Sequence, residues 1–498
     1  MKNFIKISVL AALLLISAII IISCAADGGP AGNPEAPVDN SGAENAVPEE
    51  EAAPERDTPD LPDADYGGYN FKFLVREWDA NGFWGTYEIY AEEETGDPIN
   101  DAVFRRNRAV EEKFNINITE VRSLDVDGLT KRSVTASDDA YDCAVPGLTS
   151  AANMAGGGYL YSLDNLPHMD LSRPWWDQNA NNMSIGGRLF FAIGDLLVQD
   201  KDSMFIVMFN KTVAQNSGIE DMYKLVRENK WTFDKFHSVM REVSKDLNGD
   251  GEMGFDDLLG LASSDFAINV LFYNSGETVT RKDADDFPYF TINTERAITA
   301  ATRAFEIITD NSSAILANEM RGIPNPWEDG INRMFQENRA LFLLAQITFI
   351  HRTRTMESDF GILPSPKLDE TQDKYYSSIN PVNATCVAVP SSAQETKRTS
   401  VILEALAAES RYTLVPAYYD ITITNKMIRD EESAEMLDLI LSSRVFDLGF
   451  IFNWGDMGML PLSLYRNRNG DFVSNYEKIE ARAASEMAKT IDAFRELD

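Results

Sequence analysis

The stretch from Tyr69 to Ile118 constrains this chain more than any other. Tyr69, Phe71, Phe73 and Val75 fall at alternate positions, the mark of extended backbone with one apolar face. Asp97-Pro98 then offers a capping carboxylate and a proline suited to a first helical turn. Ile99, Val103, Val110 and Phe114 repeat at helical spacing, and Ile116 and Ile118 return to period two. Strand, helix and strand within about 50 residues demand a right-handed crossover and a parallel sheet.

The alternation continues downstream. Tyr141–Val145 reads as a short strand stopped by Pro146-Gly147, and Met204–Phe209 is an apolar run suited to burial on both faces. Helices are expected over 212–227, over 233–245 with Thr232 as cap, and after Thr294, where Ile298, Ala301, Phe305 and Ile308 recur. Ala340–Ala345, Phe360–Leu363 and Cys386–Val389 follow as strands, Thr399–Glu409 and Ser433–Leu441 as helices. No fixed-period repeat organises them. The class is α/β, with strands enough for two sheets.

Composition narrows the function. The 498 residues carry 79 Asp and Glu against 45 Lys and Arg, a formal charge of −34. That argues against a nucleic-acid binder, whose phosphate contacts need clustered cations. Three Cys cannot staple a scaffold or build a Cys-rich zinc module; Cys143 and Cys386, in apolar strands, are expected as buried free thiols, a disulfide being the alternative.

Lys2 and Lys6 precede an apolar stretch, Val9–Ile22, that is too short to span a bilayer and ends in small residues. Residues 1–23 therefore read as a secretory signal. Ile21-Ile22-Ser23-Cys24-Ala25 resembles a bacterial lipobox, which makes Cys24 the lipidation site and membrane anchor; an ordinary signal with an incidental Cys is the alternative. Residues 24–65 hold seven Pro, twelve acidic residues and one Arg, so they bury no core and are expected as a disordered tether.

Five local signatures then arrive in a characteristic order. They are Gly186-Gly187-Arg188-Leu189-Phe190-Phe191-Ala192-Ile193; Phe209-Asn210-Lys211 with Gly218; Lys230-Trp231-Thr232-Phe233-Asp234-Lys235-Phe236; Phe335–Phe342; and Phe360–Pro364. This series resembles extracellular solute-binding proteins of ABC importers, the sugar-binding type with a maltose-binding-like fold. Asp195 lies near a usual Pro, Asn338 replaces a Gly, and Phe209 replaces a Tyr. The resemblance implies a periplasmic-binding-protein-like architecture, two α/β lobes on a hinge with the ligand captured between them. Lobe one would take 66–196 and 358–410, with Phe360–Pro364 returning to it; lobe two would take 197–357 and 411–498. It also implies a monomer outside the cytoplasm, a permease as partner, and no catalysis.

One acidic run carries a metal signature. Asp246, Asn248 and Asp250 at positions one, three and five, Gly251 at six and Asp257 at twelve match an EF-hand-like calcium loop. The Glu252 carbonyl would complete the oxygens around a structural calcium ion; a metal-free Asx/Gly turn is the alternative. Trp78, Trp84, Trp175, Trp176, Trp327 and Trp454 fall in expected loops beside polar groups. Rings stack on sugar C–H faces, while carboxylates and amides take hydroxyls. Within the resemblance, Trp78, Asp79, Asp195, Gln199, Asp202 and Gln346 face the cleft, with Asn380 and Trp454 as further candidates; Trp231 is expected to be structural. His168, His237 and His351 lie far apart, and there is no nucleophile elbow or phosphate cradle.

These readings describe a lipid-anchored extracellular protein that closes on a mono- or oligosaccharide and delivers it to an ABC permease. The alternatives are the same fold holding a non-sugar solute or acting as a ligand sensor, and a surface glycoside-active enzyme, since chance carboxylate pairs abound.

Overall fold

A computed structural model of the chain describes residues 56–419, apart from 81 and 354, and residues 430–496. The signal, Cys24 and the tether up to residue 55 lie outside the described residues. In chain order the strands are β1 (Tyr69–Arg76), β2 (Ile116–Ser123), β3 (Cys143–Ala144), β4 (Phe191–Ala192), β5 (Phe205–Asn210), β6 (Leu259–Ser263) and β7 (Thr280–Lys282). There follow β8 (Pro288–Phe290), β9 (Ala314–Leu316), β10 (Ala340–Gln346), β11 (Phe360–Leu363), β12 (Ser377–Ser378), β13 (Val387–Ala388) and β14 (Arg444–Val445).

The first lobe is built on a sheet of order β2-β1-β3-β13-β4. β1 pairs in parallel with β2 along its whole length, Tyr69 opposite Ile116 and Arg76 opposite Ser123. The helix Pro98–Phe114 makes the crossover, and the Asp97 carboxylate accepts from the Ile99 and Asn100 N–H groups at its start. Phe71, Phe73 and Val75 are buried on one face of β1 and Leu74 on the other, so the sheet is covered on both sides. Cys143 and Cys386 are buried free thiols, and burial pushes both up. Residues 57–65 do not behave as the end of a tether: Leu61 and Ala64 pack on this lobe, and the Thr58 carbonyl accepts from Arg173 at 3.0 Å.

The second lobe has the order β11-β5-β10-β6-β9. Every residue of β5 and β10 is buried, as their apolar runs require. Trp231 packs on Phe236 and Phe342 and donates its indole N–H to the Pro364 carbonyl at 2.9 Å, a structural anchor. Phe360–Leu363 does not return to the first sheet. β11 runs antiparallel to β5, with Ile362 opposite Met208, and the chain rejoins the first sheet only at β13. A four-residue apolar strand carries no mark of which sheet it joins. The helix expected over 212–227 is two, Lys211–Asn216 and Met222–Arg227, because Gly218 turns left-handed between them at φ 68°.

The lobes share more than a hinge. One apolar cluster takes residues from both, and Phe190 of the first meets Phe494 of the last helix edge-on at 4.9 Å. The turn Ser184–Gly187 of lobe one is held by the β7–β8 hairpin of lobe two: the Asp286 carboxylate accepts from Ser184 Oγ and Gly187 N–H, both at 2.8 Å.

Candidate ligand-binding site

β1 ends at Arg76 and hands the chain to a tight loop. The Asp79 carboxylate accepts from the Phe83 N–H at 2.9 Å, and the Asp79 N–H donates to the Trp84 carbonyl at 2.9 Å. This turn, closed on Asp79, places Phe83 and Trp84 at the gap between the lobes. Gln199, from the segment crossing between lobes, donates to the Gly85 carbonyl at 2.6 Å. Buried Glu88 accepts from the Val198 and Gln199 N–H groups at 3.3 Å and ties the two segments together. Burial raises the Glu88 carboxyl, and it brings the neighbouring Arg106 guanidinium down to about 9.

Lobe two supplies the opposite wall. β10 ends at Gln346, β6 leads into Ser264, Asp265 and Phe266, and Phe205 opens β5, its ring stacked on Phe266 at 5.5 Å. A π-helical turn, Pro326–Asn332, carries Trp327, and Asn325 Oδ1 caps it by accepting from Glu328 N–H at 3.3 Å. Such wide turns recur at functional sites. With Asn318, Phe349, Asn380, Asn383 and Arg466, these residues enclose a cavity of about 360 Å³. That is the size of a small-molecule pocket.

Six rings (Phe83, Trp84, Phe205, Phe266, Trp327, Phe349) and five carboxamides (Asn318, Asn325, Gln346, Asn380, Asn383) dominate the lining. Its charged groups are Asp79, Asp265 and Arg466, the last two paired at 3.0 Å. Gln346 Nε2 is buried with no hydrogen-bond partner among the described residues. The arrangement can hold a neutral, polyhydroxylated or amphipathic molecule by stacking and amide hydrogen bonds.

The cavity therefore brings together Asp79, Trp84, Trp327 and Gln346 from the sequence-predicted set, along with Asn380. Trp78 stands beside it, 43 % exposed and stacked on Tyr87 at 6.0 Å. A Cβ on Gly85 would fall 2.4 Å from that indole, so only glycine lets the loop close under it. The remaining candidates lie elsewhere. Trp175 and Trp176 are buried in lobe one and donate their indole N–H groups to Glu404 at 2.9 and 2.8 Å. Trp454 is buried, stacked on Phe452 at 4.8 Å, and donates to Thr490 Oγ1 at 2.8 Å. Asp195 pairs with Arg411 at 3.1 Å, and buried Asp202 accepts from the Tyr87 and Tyr418 hydroxyls at 2.6 and 2.8 Å. Phe83, Phe205, Phe266 and Phe349 are not singled out by the sequence, because one Phe among 27 carries no local mark. The adjacency of Phe83 to Trp84 in a loop is the one signal available.

The acidic loop lies between the helix Phe233–Val243 and β6. Asp246 accepts from the Gly249 and Gly251 N–H groups at 2.6 and 3.0 Å, and Asn248 and Asp250 each accept from the residue two further on at 2.8 Å. Asp257 closes the base by accepting from Leu247 and Gly254, which hold its carboxyl below the usual carboxylate range. Among the described residues, no three His, Cys, Asp or Glu side chains are grouped as a metal cluster. Asp246, Asn248 and Asp250 nevertheless keep lone pairs beyond these bonds, and hard oxygen donors of this kind fit calcium.

No family model matches the sequence, and no curated protein matches it. Solved structures do. UgpB of Mycobacterium tuberculosis, in complex with glycerophosphocholine, is similar with a TM-score of 0.56 at 16 % identity, over 85 % of this chain and 99 % of that one. A sugar transporter protein of Rhizobium etli in an open conformation gives 0.55 at 14 %, over 86 % and 100 %. An ABC substrate-binding protein of Listeria monocytogenes in complex with cycloalternan gives 0.52 at 11 %, over 85 % and 97 %. At such identities the likeness establishes the architecture: the chain has the two-lobe α/β fold of ABC solute-binding proteins.

Proposed function

We propose that this chain is an extracytoplasmic solute-binding protein that captures a mono- or oligosaccharide between its lobes and delivers it to an ABC permease. The observation that carries the reading is the cleft, where rings from both lobes face one another and carboxamides outnumber ions. Rings take the C–H faces of a sugar and amides its hydroxyls. A ligand touching both lobes favours the closed state by its differential affinity, so capture needs no bond made or broken. Cys24 would hold the protein at the membrane, residues 25–55 would give it reach, and a calcium ion would brace the loop 246–257.

Thermal unfolding across a panel of mono- and oligosaccharides tests the reading. A ligand at about 100 times Kd adds roughly 2.7 kcal/mol. An upward shift with one sugar class, without product formation, is the expected result. Product formation would favour a glycoside-active enzyme. The panel includes glycerophosphocholine, because UgpB places a non-sugar solute on this fold and aromatic walls also suit a quaternary ammonium. A shift with that ligand alone would replace carbohydrate as the solute.

A further inference from the structure

We infer that Arg352 is a positioning residue that clamps the lobe-one wall of the cleft from lobe two. The inference rests on reading the cleft as the ligand site. Arg352 lies on the helix Thr348–Thr353, just after Gln346 at the end of β10. Its guanidinium sits over the Phe83 ring, 4.2 Å from the centroid, and Nη2 donates to the Gly82 carbonyl at 2.5 Å. The same ring meets Phe349, also of lobe two, at 5.4 Å. On its other side Nη1 lies 4.0 Å from Glu328 Oε2, on the turn that carries Trp327. One side chain thus reaches both aromatic walls while standing behind the cavity rather than in it.

The loop it holds closes on Asp79. Among the described residues from 79 to 84 none belongs to a strand; the Gly82 N–H donates to the Asp79 carbonyl, the Phe83 N–H to the Asp79 carboxylate, and the Asp79 N–H to the Trp84 carbonyl. Gly82 turns left-handed at φ 65°, and its own carbonyl is the group that accepts from Arg352. A planar guanidinium can stack on a ring and donate in its own plane at once, whereas an ammonium is a point charge that does one or the other well. The wall that presents Phe83 and Trp84 is therefore assembled by both lobes, and ligand affinity depends on a residue that need not touch the ligand.

Hydrogen exchange of the full chain without ligand reads the clamp directly. Arg352→Met should speed exchange of the backbone amides from residue 82 to residue 86 about tenfold, the size of one lost cation–π contact, and leave β1 and β10 unchanged. Arg352→Lys should fall between, and Phe83→Leu should reproduce the Met pattern. Unchanged loop exchange in Arg352→Met and Phe83→Leu overturns the clamp. Calorimetry with maltotetraose as probe gives the second reading: about tenfold weaker binding in Arg352→Met is expected, and equal binding to both proteins overturns the positioning role. If maltotetraose fails to bind the wild type, that failure bears on the proposed ligand, and the exchange result still decides the clamp.

Discussion

Glu404 lies beneath Trp175 and Trp176 with both carboxylate oxygens taken by indole N–H groups. Those bonds favour the anion, but burial outweighs them and raises the group from 4.5 to about 7. Between these values the folded protein holds a proton that the unfolded chain has released. Stability therefore falls as pH rises through this window and levels off above it. The full swing is on the order of 3 kcal/mol. Glu404→Gln should flatten the slope of Tm against pH from about 5 to 7, and a slope identical to wild type would assign it to other groups. Two tryptophans in the same sequence context divide in the same way. Trp327→Ala should weaken ligand binding at least tenfold, by loss of one stacking face, with a small change in Tm. Trp175→Ala should lower stability by about 3–5 kcal/mol. Sequence context marks both as aromatic and flanked by polar groups. It cannot show that the Trp175 partner waits 229 positions away, and that distant carboxylate is what separates a buried indole from an exposed stacking surface.

Elements with a local cause are readable from the chain. Asp97 caps the first crossover helix where Asp-Pro predicts it, and Thr232 caps the helix after Trp231. Elements whose placement is decided by a distant partner are not. β11 chooses the second sheet because Ile362 and Leu363 pair with Met208 and Val207, a choice absent from its own four residues. The acidic loop is an intermediate case, since its spacing fixes a tight turn and leaves the ion to experiment. Calcium should raise Tm, chelator should reverse the rise, and Asp250→Ala should abolish it while leaving the calcium-free Tm within a few degrees. The same Tm with calcium and with chelator would establish the loop as a metal-free turn held by its own Asp and Asn side chains.

At the scale of the molecule, alternating elements announce α/β and two sheets, while two lobes with a cleft emerge from resemblance to a known architecture. Periodicity could not supply the cleft, because its walls come from segments near 80, 205, 265, 325, 346 and 380. The sheet order adds a consequence of another kind. β13 lies between β3 and β4, yet it follows every strand of the second sheet in the chain. During synthesis the first lobe waits, begun but unjoined, until Val387 has emerged. Fragments ending at residue 380 should show no cooperative unfolding transition, whereas the full chain should show one. Long-range pairing of this sort delays folding. The strand that completes the first lobe is the last but one in the chain, so a nascent chain that ends before Val387 presents a first sheet whose β3 and β4 have nothing between them to join.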